Sequence, residues 1–182
     1  MARDLARLLN LAGEGIPKYL WQAEAEAGES PLDVGARRAA RNEGSFSYLN
    51  IKVCTADDKL LGMCLSYAQP DPYEIGDLNN YSSVVRPLVL LESKAPGSWY
   101  INALATFEPY RGQGVASMLL EDAEQQAKAQ GVTQLSLIVA TENNSAVSLY
   151  ESSGYHAFAE EAVVDYPGAL HGGEWLLMLK NL

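Results

Sequence analysis

The run from Trp99 to Ala140 restricts the possible folds of this chain more than any other stretch. "WYINALATF" reads as a strand. "EPYRGQG" follows, with Gly112, Gly114 and Ala116 at a spacing of two. Ala116, Leu119, Leu120, Ala123 and Ala127 then fall at helical spacing, and Gly131 is a natural C-terminal stop. "QLSLIVA" is nearly apolar throughout, as expected of a central strand buried on both faces. Strand, glycine turn, helix and strand make a βαβ unit, which requires two parallel strands joined by a right-handed crossover.

The flanking segments predict antiparallel partners for that pair. "SFSYLNIKVC" alternates and is rich in strand formers, and "LLGMCLSY" follows the short turn "TADDK", so the two read as a hairpin. "YHAFAE" and "EWLLMLK" read as two closing strands, joined by a loop around "YPGALHGG". Residues 4–43 read as helical. Asp4 caps the first helix, Pro17 opens a second that Gly28 stops, and Ser30, Pro31 and Asp33 form a start signal resembling a capping box. Residues 69–83 form a loop by composition. "VVRPLVLLE" is ambiguous: its branched residues suit a strand and Pro87 suits a helix start, and a short helix is the expectation. "NNSAVSLYESSG" predicts a short helix ending at Gly154. The expected class is α/β: a mixed, mostly antiparallel sheet with one parallel pair and helices on both faces, in a single domain over 1–182.

Composition narrows the function. The formal net charge of −10 argues against general nucleic-acid binding, which needs a basic surface, and favours encounter with a cationic partner such as an amine. Solubility alone also accounts for it. No apolar run approaches the roughly 20 residues that span a bilayer, and "MARDLARLLN" lacks the apolar core and cleavage site of a signal peptide. A cytoplasmic protein that does not engage membranes is the expectation. Two cysteines, Cys54 and Cys64, and two histidines, His156 and His171, form no cluster with metal-ligand spacing. The cysteines flank the "TADDK" turn as cross-strand candidates and are expected as free, partly buried thiols.

A glycine turn between a strand's end and a helix's start presents unpaired N–H groups at the positive end of the helix dipole. Arg111 adds a full charge beside them. The turn therefore suits a phosphate or pyrophosphate, and equally suits a tight turn beside a solvated arginine. No Lys-Ser or Lys-Thr follows the glycines, so a nucleoside-triphosphate loop is excluded. A dinucleotide fingerprint would need glycine where Ser117 stands.

The pattern present, Arg-x-x-Gly-x-Ala at Arg111, Gly114 and Ala116, resembles the acetyl-coenzyme A loop of the GCN5-related N-acetyltransferase (GNAT) superfamily. "NNSAVSLYESSGY" is similar to that family's later motif, here Asn143, Ala146, Tyr150, Gly154 and Tyr155. The likeness covers residues 99–158, with looser matches on either side. It implies a parallel pair splayed around acetyl-coenzyme A as co-substrate. Backbone groups of Ala105, Thr106 and Phe107 would pair with the pantetheine arm. The N–H groups of Gly112, Gln113, Gly114, Val115 and Ala116, beside Arg111, would hold the pyrophosphate. Asn143 would bond the pantetheine amides or simply cap its helix. Tyr150 would be the acid that protonates the coenzyme sulfur, against a reading as a core aromatic.

The resemblance implies transfer of an acetyl group to a primary amine of a small molecule. Two alternatives stand beside it. "YESSGY" with the "YPG" loop is similar to bacterial ribosomal-protein N-terminal acetyltransferases, which implies a peptide acceptor at an N-terminus or a lysine. A coenzyme A-binding sensor without catalysis is the other. Along the strand from Trp99, the face of Tyr100, Asn102, Leu104 and Thr106 carries no glutamate, where many family members place their base. Glu92 and Glu108 are expected as ordinary surface carboxylates, a water held by Asn102 or Tyr100 would serve instead, and the base is unassigned. Family members also open with a strand, and only "MAR" precedes Asp4. Either that strand lies outside this sequence or the sheet begins with the 45–54 strand, whose uncovered edge invites pairing with a second copy in a homodimer.

Overall fold

Helix formation dominates the first forty residues of the computed structural model, which describes residues 1–182. Helix α1 (Ala2–Ala12) buries Leu5, Leu8 and Leu9 on one face. Gly15, at φ 92°, turns the chain into α2 (Ile16–Glu24), whose first turn holds Pro17. Helix α3 (Pro31–Ala39) starts on the expected capping box, in which the Ser30 N–H donates to Asp33 Oδ2 at 3.2 Å. The Ser30 hydroxyl also donates to that carboxylate and holds the Asp33 carboxyl below its ordinary range.

The hairpin follows as β1 (Ile51–Ala56) and β2 (Lys59–Ala68). Asp57 and Asp58 both take positive φ, 47° and 61°, which is the backbone of a two-residue primed turn. Asp tolerates this region better than most residues because its short side chain bonds locally. After a loop come α4 (Arg86–Glu92), with Pro87 in its first turn, and β3 (Trp99–Thr106). The remainder is α5 (Val115–Ala129), β4 (Gln134–Ala140), α6 (Asn144–Ser152), β5 (His156–Ala162) and β6 (Glu174–Asn181).

The strands form one mixed sheet in the order β1-β2-β3-β4-β6-β5. Its parallel pair is β3 with β4, in register from Trp99↔Leu135 to Ile101↔Leu137. The β1–β2, β4–β6 and β5–β6 pairs are antiparallel.

Backbone packing divides the chain into two compact units. One holds Met1–Tyr67 with Asn102–Ala123, the other Ala68–Ile101 with Glu124–Leu182. In the first, α1 and α2 pack on α3, and Leu8, Trp21 and Val34 share a cluster with Met63, Leu65 and Ala103. Gly62 of β2 has no room for a side chain there: a Cβ would lie 2.7 Å from the Ala105 carbonyl oxygen and 2.9 Å from Val115 Cγ1. In the second, β4 pairs with β6 over its full length and α4 packs on β5. Ser98 and Ser136, both buried, share a hydroxyl hydrogen bond of 2.6 Å. Lys180 and Lys128 both reach Glu124, and they hold its carboxyl below the ordinary range.

Three sequence-based expectations are corrected. Met1, not Asp4, precedes the first helix, and Asp4 lies in its first turn bound to the Met1 amine at 3.2 Å. An acid there complements the helix dipole as a cap would. The second helix ends at Glu24, and Gly28, at φ 85°, belongs to the connection that follows. The first strand starts at Ile51, because Tyr48–Asn50 form a 3₁₀ turn. Ser47 accepts from the Leu49 N–H at 3.1 Å and donates to the Arg41 carbonyl at 2.7 Å, a local alternative that competes with the ladder. The cysteines are cross-strand neighbours, as expected, on a diagonal: Cys54 pairs with Gly62 and Cys64 with Lys52.

Two outcomes follow from this packing. Gly62→Ala should destabilise the protein by about 1–3 kcal/mol, seen as a lower urea midpoint at unchanged m, because a methyl must displace backbone. An unchanged midpoint would contradict the close approach. Both cysteines are free, and burial pushes the Cys64 thiol up to about 12. A thiol reagent should therefore count one accessible group in native protein, Cys54, and two after denaturation without reductant. Equal reactivity of both thiols in the native state would contradict the burial of Cys64.

Candidate active site

The turn after β3 keeps its carbonyls and side chains engaged with one another. Ala105 and Thr106 are buried at the strand's end, and the Phe107 N–H donates to the Leu61 carbonyl at 2.9 Å. A 3₁₀ turn over Glu108–Tyr110 leads to Arg111, whose Nε donates to the Thr106 carbonyl at 3.4 Å. Gln113 Nε2 donates to the Pro109 carbonyl at 3.0 Å.

Gly112 and Gly114 take φ of 71° and 80°, and a Cβ on either would meet no atom within 4 Å. Backbone conformation, not crowding, therefore calls for glycine at these positions. The turn delivers the chain into α5 at Val115, which is buried, while Ala116 is half-buried. The first N–H groups of a helix have no intrahelical acceptor and lie at the positive end of its dipole. No acidic residue stands in the first turn of α5 to neutralise them. The exposed Arg111 adds its charge, and the buried Thr106 Oγ1 has no hydrogen-bond partner. A polyanion with a polar tail suits such a set.

The other expected residues lie in the second unit. Asn143 caps α6: its Oδ1 accepts from the Ala146 N–H at 3.3 Å and from the Ser145 hydroxyl at 3.2 Å. Tyr150 is buried, and its ring meets Tyr155 edge-on, with centroids 5.9 Å apart at 63°. Lys180 Nζ lies 5.9 Å from the Tyr155 centroid. This aromatic pair, together with the hydrogen bonds from the Ser153 and Tyr155 N–H groups to the Tyr150 carbonyl, fixes the end of α6. The expected residues thus fall into two sets, from Ala105 to Ala116 in one unit and Asn143 with Tyr150 in the other.

Glu92 is not an ordinary surface carboxylate, contrary to the expectation from sequence. It is half-buried at the end of α4, and Tyr73 donates its hydroxyl to Glu92 Oε2 at 2.7 Å. Tyr100 of β3 donates a second side-chain hydrogen bond. Burial pushes the Glu92 carboxyl above its ordinary range, and the two tyrosines pull the other way. The three residues come from a loop, a helix end and a strand, so no local pattern marks them in the sequence. Glu108 is exposed, as expected. Asn102 donates from Nδ2 to the Tyr67 hydroxyl at 3.3 Å.

No group of three or more His, Cys, Asp and Glu side chains is arranged to hold a metal ion, and no helix is long and apolar enough to cross a membrane. Residues 16–155 match the sequence profile of the acetyltransferase (GNAT) family. The uncharacterized N-acetyltransferase YycN of Bacillus subtilis (strain 168) is 39% identical over 56 residues, 31% of this chain and 36% of the relative. The chain thus matches about a third of the length of the curated relatives it resembles. Among solved structures, one described as an acetyltransferase superposes with a TM-score of 0.65 at 22% identity, covering 99% of this chain and 94% of the other. A GNAT family acetyltransferase from Elizabethkingia anophelis, solved with acetyl-CoA bound, superposes at 0.50 and 14% identity over 72% of this chain and 75% of its own. With a profile match over well more than half of its length, and with the turn and helix motifs inside the matched residues, the chain belongs to the acetyltransferase (GNAT) family.

Proposed function

We propose that this protein transfers the acetyl group of acetyl-coenzyme A to a primary amine of a small molecule. The observation that carries the proposal is the turn between β3 and α5. Two left-handed glycines open it, Arg111 flanks it, and no carboxylate stands in the first helical turn. Those features suit a pyrophosphate held by backbone N–H groups. The E. anophelis family member solved with acetyl-CoA bound supports the same co-substrate here.

In this reading the N–H groups from Gly112 through Gln113, Gly114 and Val115 to Ala116 hold the pyrophosphate, and Arg111 balances its charge. The backbone of Ala105, Thr106 and Phe107 pairs with the pantetheine arm, and Asn143 bonds its amides in addition to capping α6. A neutral amine attacks the thioester carbonyl, the C–S bond breaks, and the thiolate leaves with the proton of the Tyr150 hydroxyl. A thiol ionises near ~8.5 and a tyrosine near ~10, so a positioned tyrosine can assist that departure. The amine nitrogen sheds its proton as the amide forms, and solvent returns one to Tyr150. The negative balance of the chain favours a cationic acceptor.

Acetyl-coenzyme A should raise the melting temperature, since a ligand selective for the native state stabilises it by mass action. Gly114→Asn should weaken that binding at least about tenfold, because Asn tolerates a left-handed backbone and adds bulk beside the amides. Binding as tight as the parent's would remove the turn from the coenzyme site. Free-thiol release against a panel of small amines and peptides tests the reaction and its acceptor class, and turnover of peptides alone would overturn the small-molecule assignment. Tyr150→Phe keeps the ring that meets Tyr155 and removes the hydroxyl. It should lower kcat and kcat/KM together by about ten- to a thousand-fold, roughly 1.4–4 kcal/mol, at nearly unchanged coenzyme affinity. Turnover within about twofold of the parent, with chemistry limiting, would make Tyr150 a packing residue.

A further inference from the structure

An alkylamine at neutral pH is an ammonium ion, with a pKa near that of lysine, ~10.4, and an ammonium has no lone pair with which to attack. Some group must accept a proton before the acetyl group can move. The second unit, which also carries Tyr150, contains a carboxylate built to stay in one place and partly out of water. Glu92 stands at the last position of α4, half-buried, with the Tyr73 hydroxyl on Oε2 at 2.7 Å and Tyr100 as a second donor. Tyr73 lies in the loop after β2, and Tyr100, itself buried, lies on β3 two residues before Asn102.

A surface carboxylate would need no such support. Two hydroxyl donors limit its rotation and leave the carboxylate lone pairs that they do not occupy to a cationic ligand.

We propose that Glu92 receives the ammonium of the acceptor and takes its proton, making it the general base of acetyl transfer. The step balances: R–NH₃⁺ and the Glu92 carboxylate become R–NH₂ and the Glu92 carboxylic acid. The freed lone pair then attacks the thioester, and Glu92 later returns its proton to water. Tyr73 and Tyr100 are positioning residues that hold the carboxylate. The inference rests on the acetyl-transfer reading above.

The surroundings of Glu92 leave its titration to the two tyrosines and to burial. Helix α4 packs on β5 and β6. On those strands Glu161 is paired with Lys94, the neighbouring Glu160 carboxylate pushes the Glu174 carboxyl up, Lys180 is paired with Glu124, and His156 is exposed. On α4 itself, Arg86 Nε is held by the Tyr81 carbonyl at 3.1 Å. Burial raises the carboxyl, which brings a carboxylate base closer to neutral pH, where proton transfer is most effective.

Activity of the parent should fall as pH drops through the raised pKa of Glu92, giving an acidic limb above the usual carboxylate range. The test uses the full-length protein, acetyl-coenzyme A and the primary alkylamine of the panel that the parent turns over best. Glu92→Gln should bind the coenzyme as the parent does. It should lose about 10²–10⁴ in kcat/KM at neutral pH and lose the acidic limb. Its deficit should shrink as pH rises towards the pKa of the amine, where neutral amine is supplied by water. A deficit of equal size at every pH, with the limb retained, would make Glu92 structural and overturn the proposal. Should Glu92→Gln fold poorly, Tyr73→Phe decides the matter: loss of a donor that lowers the pKa must move the limb to higher pH, and an unmoved limb overturns the proposal. A parent that binds acetyl-coenzyme A yet turns over no amine overturns the acetyl-transfer reading itself, and this inference with it.

Discussion

Two parallel strands cannot be closed by a tight turn, and the pairing of β3 with β4 makes the surrounding chain answer to that rule. A connection must climb back over the sheet, and α5 supplies it. The helix must then begin close to the end of β3, which forces a sharp reversal over Arg111–Gly114. That reversal leaves backbone N–H groups at a helix start, where an anion is at home. The chemistry assigned to the turn is thus a by-product of satisfying a connection.

Glycine solves opposite problems on the two sides of that connection. At Gly62 the surroundings are so close that any side chain would collide with the Ala105 carbonyl and Val115. At Gly114 the surroundings are open, and only the positive φ excludes most residues. The first is a demand of packing and the second a demand of backbone direction. A sequence shows the same letter for both.

Much of the fold was legible because it is encoded locally. The capping box at Ser30 and Asp33, the Asp57–Asp58 turn and the periodic stripe of α5 each lie within a few residues. The hairpin, the crossover and the short helix at Arg86–Glu92 all occur where those signals place them. What was not legible depends on distant partners. The Glu92 cluster joins residues 19 positions apart through Tyr73 and adds Tyr100, and nothing around Glu92 in sequence distinguishes it from a solvated acid. The 3₁₀ turn at Tyr48–Asn50 was hidden for a different reason. Its strand formers read as extended chain, and the Ser47 bonds to Arg41 and Leu49 overrode them. Of the candidate site, the turn and the helix cap were visible as patterns, whereas the packing of Tyr150 on Tyr155 became visible only in three dimensions.

The strand order β4-β6-β5 carries a consequence for how this protein is made. β6 lies between two strands that both precede it in the chain, and it pairs with β4 from Gln134↔Asn181 to Ala140↔Trp175. A ribosome therefore delivers both neighbours before the strand that joins them. Until Glu174–Asn181 emerges, β4 and β5 present open edges of the kind that recruit other chains. The first unit has no such debt, because its last contribution, Asn102–Ala123, is synthesised well before β6. Vectorial synthesis thus separates an early-closing half of the sheet from one that must wait.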